Sequence, residues 1–171
     1  ALPILMMPVG ASEARAKQIS ALAGVLHERM TDPVLGDCLR ELREKTTDAW
    51  GAIEQCNIHE ALRSYELETK VPKQLVQELA ELGSLGHGIW VTARQENCFA
   101  DFAPVLKRFL TLKREWAHCV APESQPYDAN IDQFERGTTM AMITPIFDRL
   151  KQELIPFINA IQDQAHQPDT S

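Results

Sequence analysis

The chain has no Cys-x-x-Cys pair, no basic run, no strand-like alternation and no apolar stretch of membrane length, and each absence excludes a class. Its four cysteines, Cys38, Cys56, Cys98 and Cys119, stand far apart, whereas a zinc ribbon needs close pairs to complete a tetrahedral site. Nothing else reads as small, secreted or loop-rich, which argues against a disulfide framework. Four reduced thiols, buried or half-buried, are expected, and a cytoplasmic location with them. A net charge of −7 and a pI near 5.2 repel phosphate backbones, so no nucleic acid is expected as partner. The opening Ala1-Leu2-Pro3-Ile4-Leu5-Met6-Met7 is apolar, but it is short, contains proline and lacks a basic leader. It reads as neither a signal peptide nor a membrane span, and more as a chain cut inside a longer protein.

Signatures of catalysis are missing as well. There is no Gly-x-Ser-x-Gly elbow, and no cysteine sits in a recognisable nucleophile signature. His118 and Cys119 are sequence neighbours, so on a helix they diverge and form no base–nucleophile pair. The glycines Gly83, Gly86 and Gly88 lack the lysine and preceding strand of a phosphate loop. A His-Glu-x-x-His helix places two imidazoles on one face beside a general base. Two segments begin that way, His27-Glu28-Arg29-Met30-Thr31 and His59-Glu60-Ala61-Leu62-Arg63, and both lack the second histidine. Glu115-x-x-His118 has the spacing used in di-iron bundles, which need it twice. No catalytic and no metal-binding residue is assigned.

What the sequence does contain is helical periodicity. With 171 residues, 44% of them hydrophobic, the chain is long enough for one domain with a core and too short to suggest two. Ala16, Ile19, Ala23, Leu26 and Met30 make one apolar stripe after Ser12. Thr31-Asp32-Pro33 ends that helix and opens the next, with Asp32 as N-cap and Pro33 in the first position. Val34, Leu35, Cys38, Leu39 and Leu42 are expected on its buried face. After a short segment around Trp50 and Ile53, Asn57-x-x-Glu60 reads as a capping pair for a helix through Leu62, Tyr65 and Leu67.

Val71-Pro72 breaks that helix, and a long one starts at Lys73. The three glycines lie in its middle, implying close packing or a kink. Phe102, Val105, Leu106, Phe109, Leu112 and Trp116 mark the following helix, and Pro122 to Pro126 a loop. The last helix begins near Thr138 or Thr139 and carries Ile143, Phe147, Leu150, Leu154, Phe157 and Ile161, with kinks or a break expected at Pro145 and Pro156. The fold class is all-α, an array of six to eight antiparallel and crossing helices. Residues 1–164 form a single domain, and 165–171 a disordered tail.

One stretch stands out for its chemistry. Pro126 to Gly137 gathers Tyr127, Asp128, Asp132 and Glu135 into irregular backbone between two helices. On the residues alone, Asp128 and Asp132 cap a short helix that Gly137 terminates. A more specific role for the same side chains stays open beside that reading.

Seven short blocks, in order, resemble one family. They are Met6-Met7-Pro8, Ala21 through Glu28, Thr31-Asp32-Pro33-Val34-Leu35-Gly36, Thr69-Lys70-Val71-Pro72, Asp101-Phe102-Ala103-Pro104, Leu112-Lys113-Arg114-Glu115 and Tyr127-Asp128-Ala129. Across residues 6–161 their spacing resembles the N-terminal half of the carboxypeptidase Taq family, helical zinc metallocarboxypeptidases. The resemblance implies a groove wall and lid for a parent enzyme that removes residues from peptide C-termini. Tyr127, Asp128, Asp132 and Glu135 would line that groove. Zinc or another divalent metal, peptide substrate and a C-terminal catalytic part would belong to the parent, with a homodimer among the assemblies the family implies.

Two departures accompany it. The tryptophan–aspartate pair that usually precedes the Met-Pro turn is missing, and so is every catalytic block. The segment itself is therefore expected to bind no cofactor and to be inactive alone. The rival reading is a free-standing binding or dimerisation module descended from such a domain.

Overall fold

The computed structural model describes residues 8–45 and 50–164, with backbone only at Val9. All regular structure among these residues is helical: a 3-10 turn at Val9–Ala11 followed by seven α-helices. They divide into two compact units, with the boundary between Glu123 and Ser124. The first holds α1 (Ser12–Met30), α2 (Pro33–Glu44), α3 (Ala52–Glu68), α4 (Lys73–Gln95) and α5 (Phe99–Val120). The second holds α6 (Pro126–Ile131) and α7 (Met140–Gln162). The expected tail at 165–171 lies outside the described residues.

In the first unit α4 is the central element, packed against α1 and against α5, while α2 pairs with α3. The α1–α4 seam is built from small residues. Ala16 is fully buried, the Ser20 hydroxyl donates to the Gln77 carbonyl at 3.1 Å, and Gly24 lies beneath the Gln77 and Lys73 side chains. The expected stripe is corrected here. The buried line runs through Ala16, Gly24 and His27, whereas Leu26 is 62% exposed and Met30 also lies outside. Small side chains let two helix backbones approach closely, so size and not hydrophobicity selects the seam.

Asp32 caps α2 as expected, its carboxylate accepting the Val34 N–H at 2.9 Å with Pro33 in the first turn. The buried face of α2 differs from the expected one. Gly36 and Leu39 are buried, but Val34, Leu35, Cys38 and Leu42 are exposed. Gly36 is where the Tyr65 ring lies flush against the helix, and Leu39, Leu62 and Tyr65 form the core between α2 and α3. The Asn57 cap is also corrected: α3 already starts at Ala52, behind an extended Gly51, so Asn57 sits within the helix. Its buried residues, Ile58, Leu62 and Tyr65, follow one helical face.

Helix α4 starts at Lys73, where the sequence puts it, with Pro72 in extended backbone before it. Its glycines divide in role. A Cβ at Gly86 would stand 3.0 Å from Val105 Cγ1 of α5, which marks close packing, while Gly83 and Gly88 face open space. The α4–α5 turn is a Schellman motif: Asn97 adopts φ +52°, Cys98 N–H reaches the Ala93 carbonyl at 2.8 Å, and Asn97 N–H reaches that of Arg94 at 3.4 Å. On α5 Leu112 is 1% exposed, and Ala117 and Val120 are buried with it. Within the second unit, where kinks or a break were expected, α7 runs without a break through both Pro145 and Pro156.

The glycines make a graded test. Gly36→Ala drives a Cβ to 2.3 Å from the buried Tyr65 ring and should destabilise the chain by about 1–3 kcal/mol. Gly83→Ala and Gly88→Ala, in open helix interior, should stabilise it by roughly 0.5–1 kcal/mol each. Urea midpoints of the three variants check both signs.

Candidate functional site

The stretch from Pro126 to Met140 is a compact hydrogen-bonded loop. Pro126 opens α6, where its fixed φ suits the first turn, and the Asn130 amide donates back to the Pro126 carbonyl at 2.8 Å. Past Ile131 the chain turns on itself, as Phe134 and Glu135 N–H both reach the Ile131 carbonyl at 2.8 Å. Gly137 then takes φ +76°, a conformation that a side chain would strain.

Two carboxylates hold this loop closed. Asp132 Oδ1 accepts the Gly137 N–H at 2.9 Å, and Asp128 Oδ1 accepts the Met140 N–H at 2.7 Å. Thr139, in the N-cap position of α7, makes no side-chain cap bond, so Asp128 supplies an acceptor from the preceding helix. A carboxylate at a helix N-terminus is favoured both by the orphan amides and by the helix dipole. Tyr127 and Glu135 point elsewhere: Tyr127 is 62% exposed and Glu135 is exposed as well. Phe134, which the sequence reading passed over, is exposed at 86%. Its position in a turn without helical periodicity left no signal to find it.

The first His-Glu segment is engaged in structural bonds. His27 is buried on α1, and its Nε2 lies 3.2 Å from the Glu68 carbonyl. A carbonyl only accepts, so this nitrogen carries the proton. Glu28 pairs with Lys73 Nζ at 2.6 Å, and that ammonium holds its carboxyl below the ordinary value of 4.5. His59 is exposed on α3, and Glu115 and His118 are exposed on α5. Among the described residues no three His, Cys, Asp or Glu side chains gather as metal ligands.

The cysteines are free, but not all are buried as expected. Cys98 and Cys119 are half-buried, while Cys38 and Cys56 are exposed, because the packed faces of α2 and α3 are occupied by Leu39, Leu62 and Tyr65.

The helical array, the Asp32–Pro33 cap, the Val71–Pro72 break and the 126–137 loop together match a known pattern. The model of the carboxypeptidase Taq (M32) metallopeptidase family matches residues 4–171, and the chain belongs to that family. Thermostable carboxypeptidase 1 of Thermus thermophilus is 33% identical over 181 positions, which cover 97% of this chain and 34% of that protein. Carboxypeptidase 1 of Bacillus subtilis is 26% identical, covering 96% and 32%. Among solved structures, the BsuCP crystal structure superposes with a TM-score of 0.88 at 26% identity, covering 96% of this chain and 33% of that one. Metallocarboxypeptidase 1 of Trypanosoma cruzi gives 0.68 at 28% identity, covering 96% and 34%. The chain thus spans about a third of the length of the relatives it matches.

Two outcomes are expected. Asp128→Ala should cost about 0.5–2 kcal/mol and Gly137→Ala about 1–2 kcal/mol, while Glu135→Gln stays within about 0.5 kcal/mol. Helical circular dichroism in urea separates them. For Glu28, a lowered carboxyl pKa means that the Lys73 pair adds stability above the ordinary value and loses it as pH falls through the depressed one. Lys73→Met should move the Glu28 carboxyl titration up towards 4.5, read by carbon NMR of the side chain. With both groups exposed the stability change is small and fades with salt.

Proposed function

We propose that this chain is the helical groove wall and lid of a zinc-dependent metallocarboxypeptidase, an enzyme that releases single residues from peptide C-termini. In this reading its own contribution is scaffold and restriction of substrate access, and it hydrolyses nothing alone. Tyr127, Asp128, Asp132 and Glu135 border the groove, with Tyr127 and Glu135 exposed for contact and the two aspartates shaping the loop. A peptide substrate, the catalytic remainder and a homodimer are partners of the parent, and its location is cytoplasmic. No helix among the described residues is long and apolar enough to cross a membrane.

The observation that carries this reading is uncovered apolar surface. On α7, Ile146, Phe147, Ile155 and Phe157 are each more than half exposed, and the helix has no buried residue. Helix α1 adds Leu22, Val25 and Leu26, and α2 adds Val34. Monomers seldom carry large contiguous apolar patches, and a stand-alone descendant would have replaced some of these residues with charge. The stripe from Ile143 through Phe147, Leu150, Leu154 and Ile161 contains none.

The described residues do not fit the metal. His27 is committed to Glu68, Glu28 to Lys73, and the described residues offer no ligand cluster, so no step of the cleavage is assigned here. The second reading, a free-standing binding or dimerisation module, predicts a well-behaved species that hides its apolar surface. Incubation with peptide and added zinc or cobalt should give no turnover, and turnover would overturn the proposal. Strong binding of a hydrophobic dye together with concentration-dependent association in sedimentation is expected. A dye-silent species of defined stoichiometry would favour the module.

A further inference from the structure

The Schellman turn between α4 and α5 shapes a recess within the first unit, outside the 126–137 stretch and independent of the reading above. It is open to solvent on one side, has a volume of about 340 Å³ and is lined by Trp90, Ala93, Arg94, Asn97, Phe99 and Phe102. That volume lies at the lower end of the range of small-molecule sites, and the lining has their usual make-up, mostly apolar with a few polar groups. Each wall is set by the backbone. Trp90, Ala93 and Arg94 come from the last turns of α4, Phe99 and Phe102 from the first turns of α5, and Asn97 is fixed between them at positive φ. The Trp90 indole is flanked by the His87 ring, with centroids 5.9 Å apart.

The polar content of the recess is cationic. No ion pair engages Arg94 among the described residues. Phe99 opens a 22-residue helix whose N-cap residue, Cys98, makes no side-chain cap bond, and the one carboxylate of its first turn, Asp101, is not among the residues that line the recess. A guanidinium beside an uncapped helix N-terminus favours an anion, and a planar fork of donors suits a carboxylate. One guanidinium matches one negative charge, and three aromatic side chains call for an apolar body attached to it. We propose that this recess binds a small organic carboxylate with an aromatic or branched aliphatic body, seated with its charge on Arg94 and its body among Trp90, Phe99 and Phe102.

The probe is 3-phenylpropanoate, titrated into the full 171-residue chain and followed by the nitrogen–proton NMR shifts of the Trp90 indole and the Asn97 amide. Saturable shifts at both are expected, with the neutral 3-phenylpropanamide at least about tenfold weaker and acetate silent at the same concentration. Arg94→Gln should weaken the carboxylate about tenfold without changing amide binding, and Arg94→Lys should fall between. Arg94 is exposed, so neither variant removes packing, and unchanged circular dichroism verifies this. The proposal is overturned by the absence of saturable shifts at Trp90 and Asn97, by equal affinity for acid and amide, or by full affinity in Arg94→Gln.

Discussion

The turn after α3 closes its last carbonyls with the Thr69, Lys70 and Val71 amides, and the side chains around that turn tie four helices together. Glu68 O accepts from the buried His27 of α1, and Tyr65 O from the Thr69 hydroxyl at 3.0 Å. Lys70, next in the chain, reaches the Val120 carbonyl at the end of α5 at 3.3 Å. Lys73, the first residue of α4, meets Glu28 of α1. Helix ends buried without partners are expensive, at about 1–3 kcal/mol for each orphaned group. The junction from Glu68 to Lys73 joins α3 to α1 and α5 and sets the start of α4 beside α1, where the small-residue seam along Ala16 and Gly24 lies.

The family resemblance rests largely on the same places. Thr31-Asp32-Pro33-Val34-Leu35-Gly36 encodes the end of α1, the capped start of α2 and the close approach of Tyr65 at Gly36. Thr69-Lys70-Val71-Pro72 encodes the four-helix junction, with Val71 only 4% exposed. Tyr127-Asp128-Ala129 contains the carboxylate that holds the start of α7. These blocks specify corners of a scaffold. Such corners are distinctive in sequence without gathering reactive groups, which is why motif reading found a family so readily and a reaction so poorly.

Much of the fold was legible because helix starts and stops are local chemistry. Asp32-Pro33, Val71-Pro72 and the start beyond Thr139 depend on a few adjacent residues, and each is where the sequence puts it. The buried faces were not legible, for a physical reason. Hydrophobicity does not tell which face packs, since Leu26, Val34 and Leu42 are apolar and exposed. The true seams pass through Gly24, Gly36 and His27, which a search for apolar stripes discounts. In the 126–137 loop Asp128 and Asp132 were expected to cap the short helix, whereas Asp128 accepts from Met140 at the start of α7 and Asp132 from Gly137. The Asp128–Met140 bond spans twelve residues and two elements, beyond the reach of any local capping pattern. The aromatic and cationic recess was missed entirely, because Trp90, Arg94 and Phe99 meet only once the turn is folded.

The two prolines of α7 give that helix a shape. Pro145 and Pro156 stand eleven residues apart, about three turns, so both lie on the same side, away from the line of Ile143, Phe147, Leu150 and Leu154. Each removes an amide donor and crowds the carbonyl four residues before it, which opens the ladder on the proline side and bends the axis towards the other. Two such sites on one side favour a curve whose inner face carries the apolar line and whose outer face carries the prolines. A rod touches a rounded body at a single point, whereas a curved helix follows its contour along several turns, so the placing of two imino acids on one side bears on how much surface a helix of this length can seal.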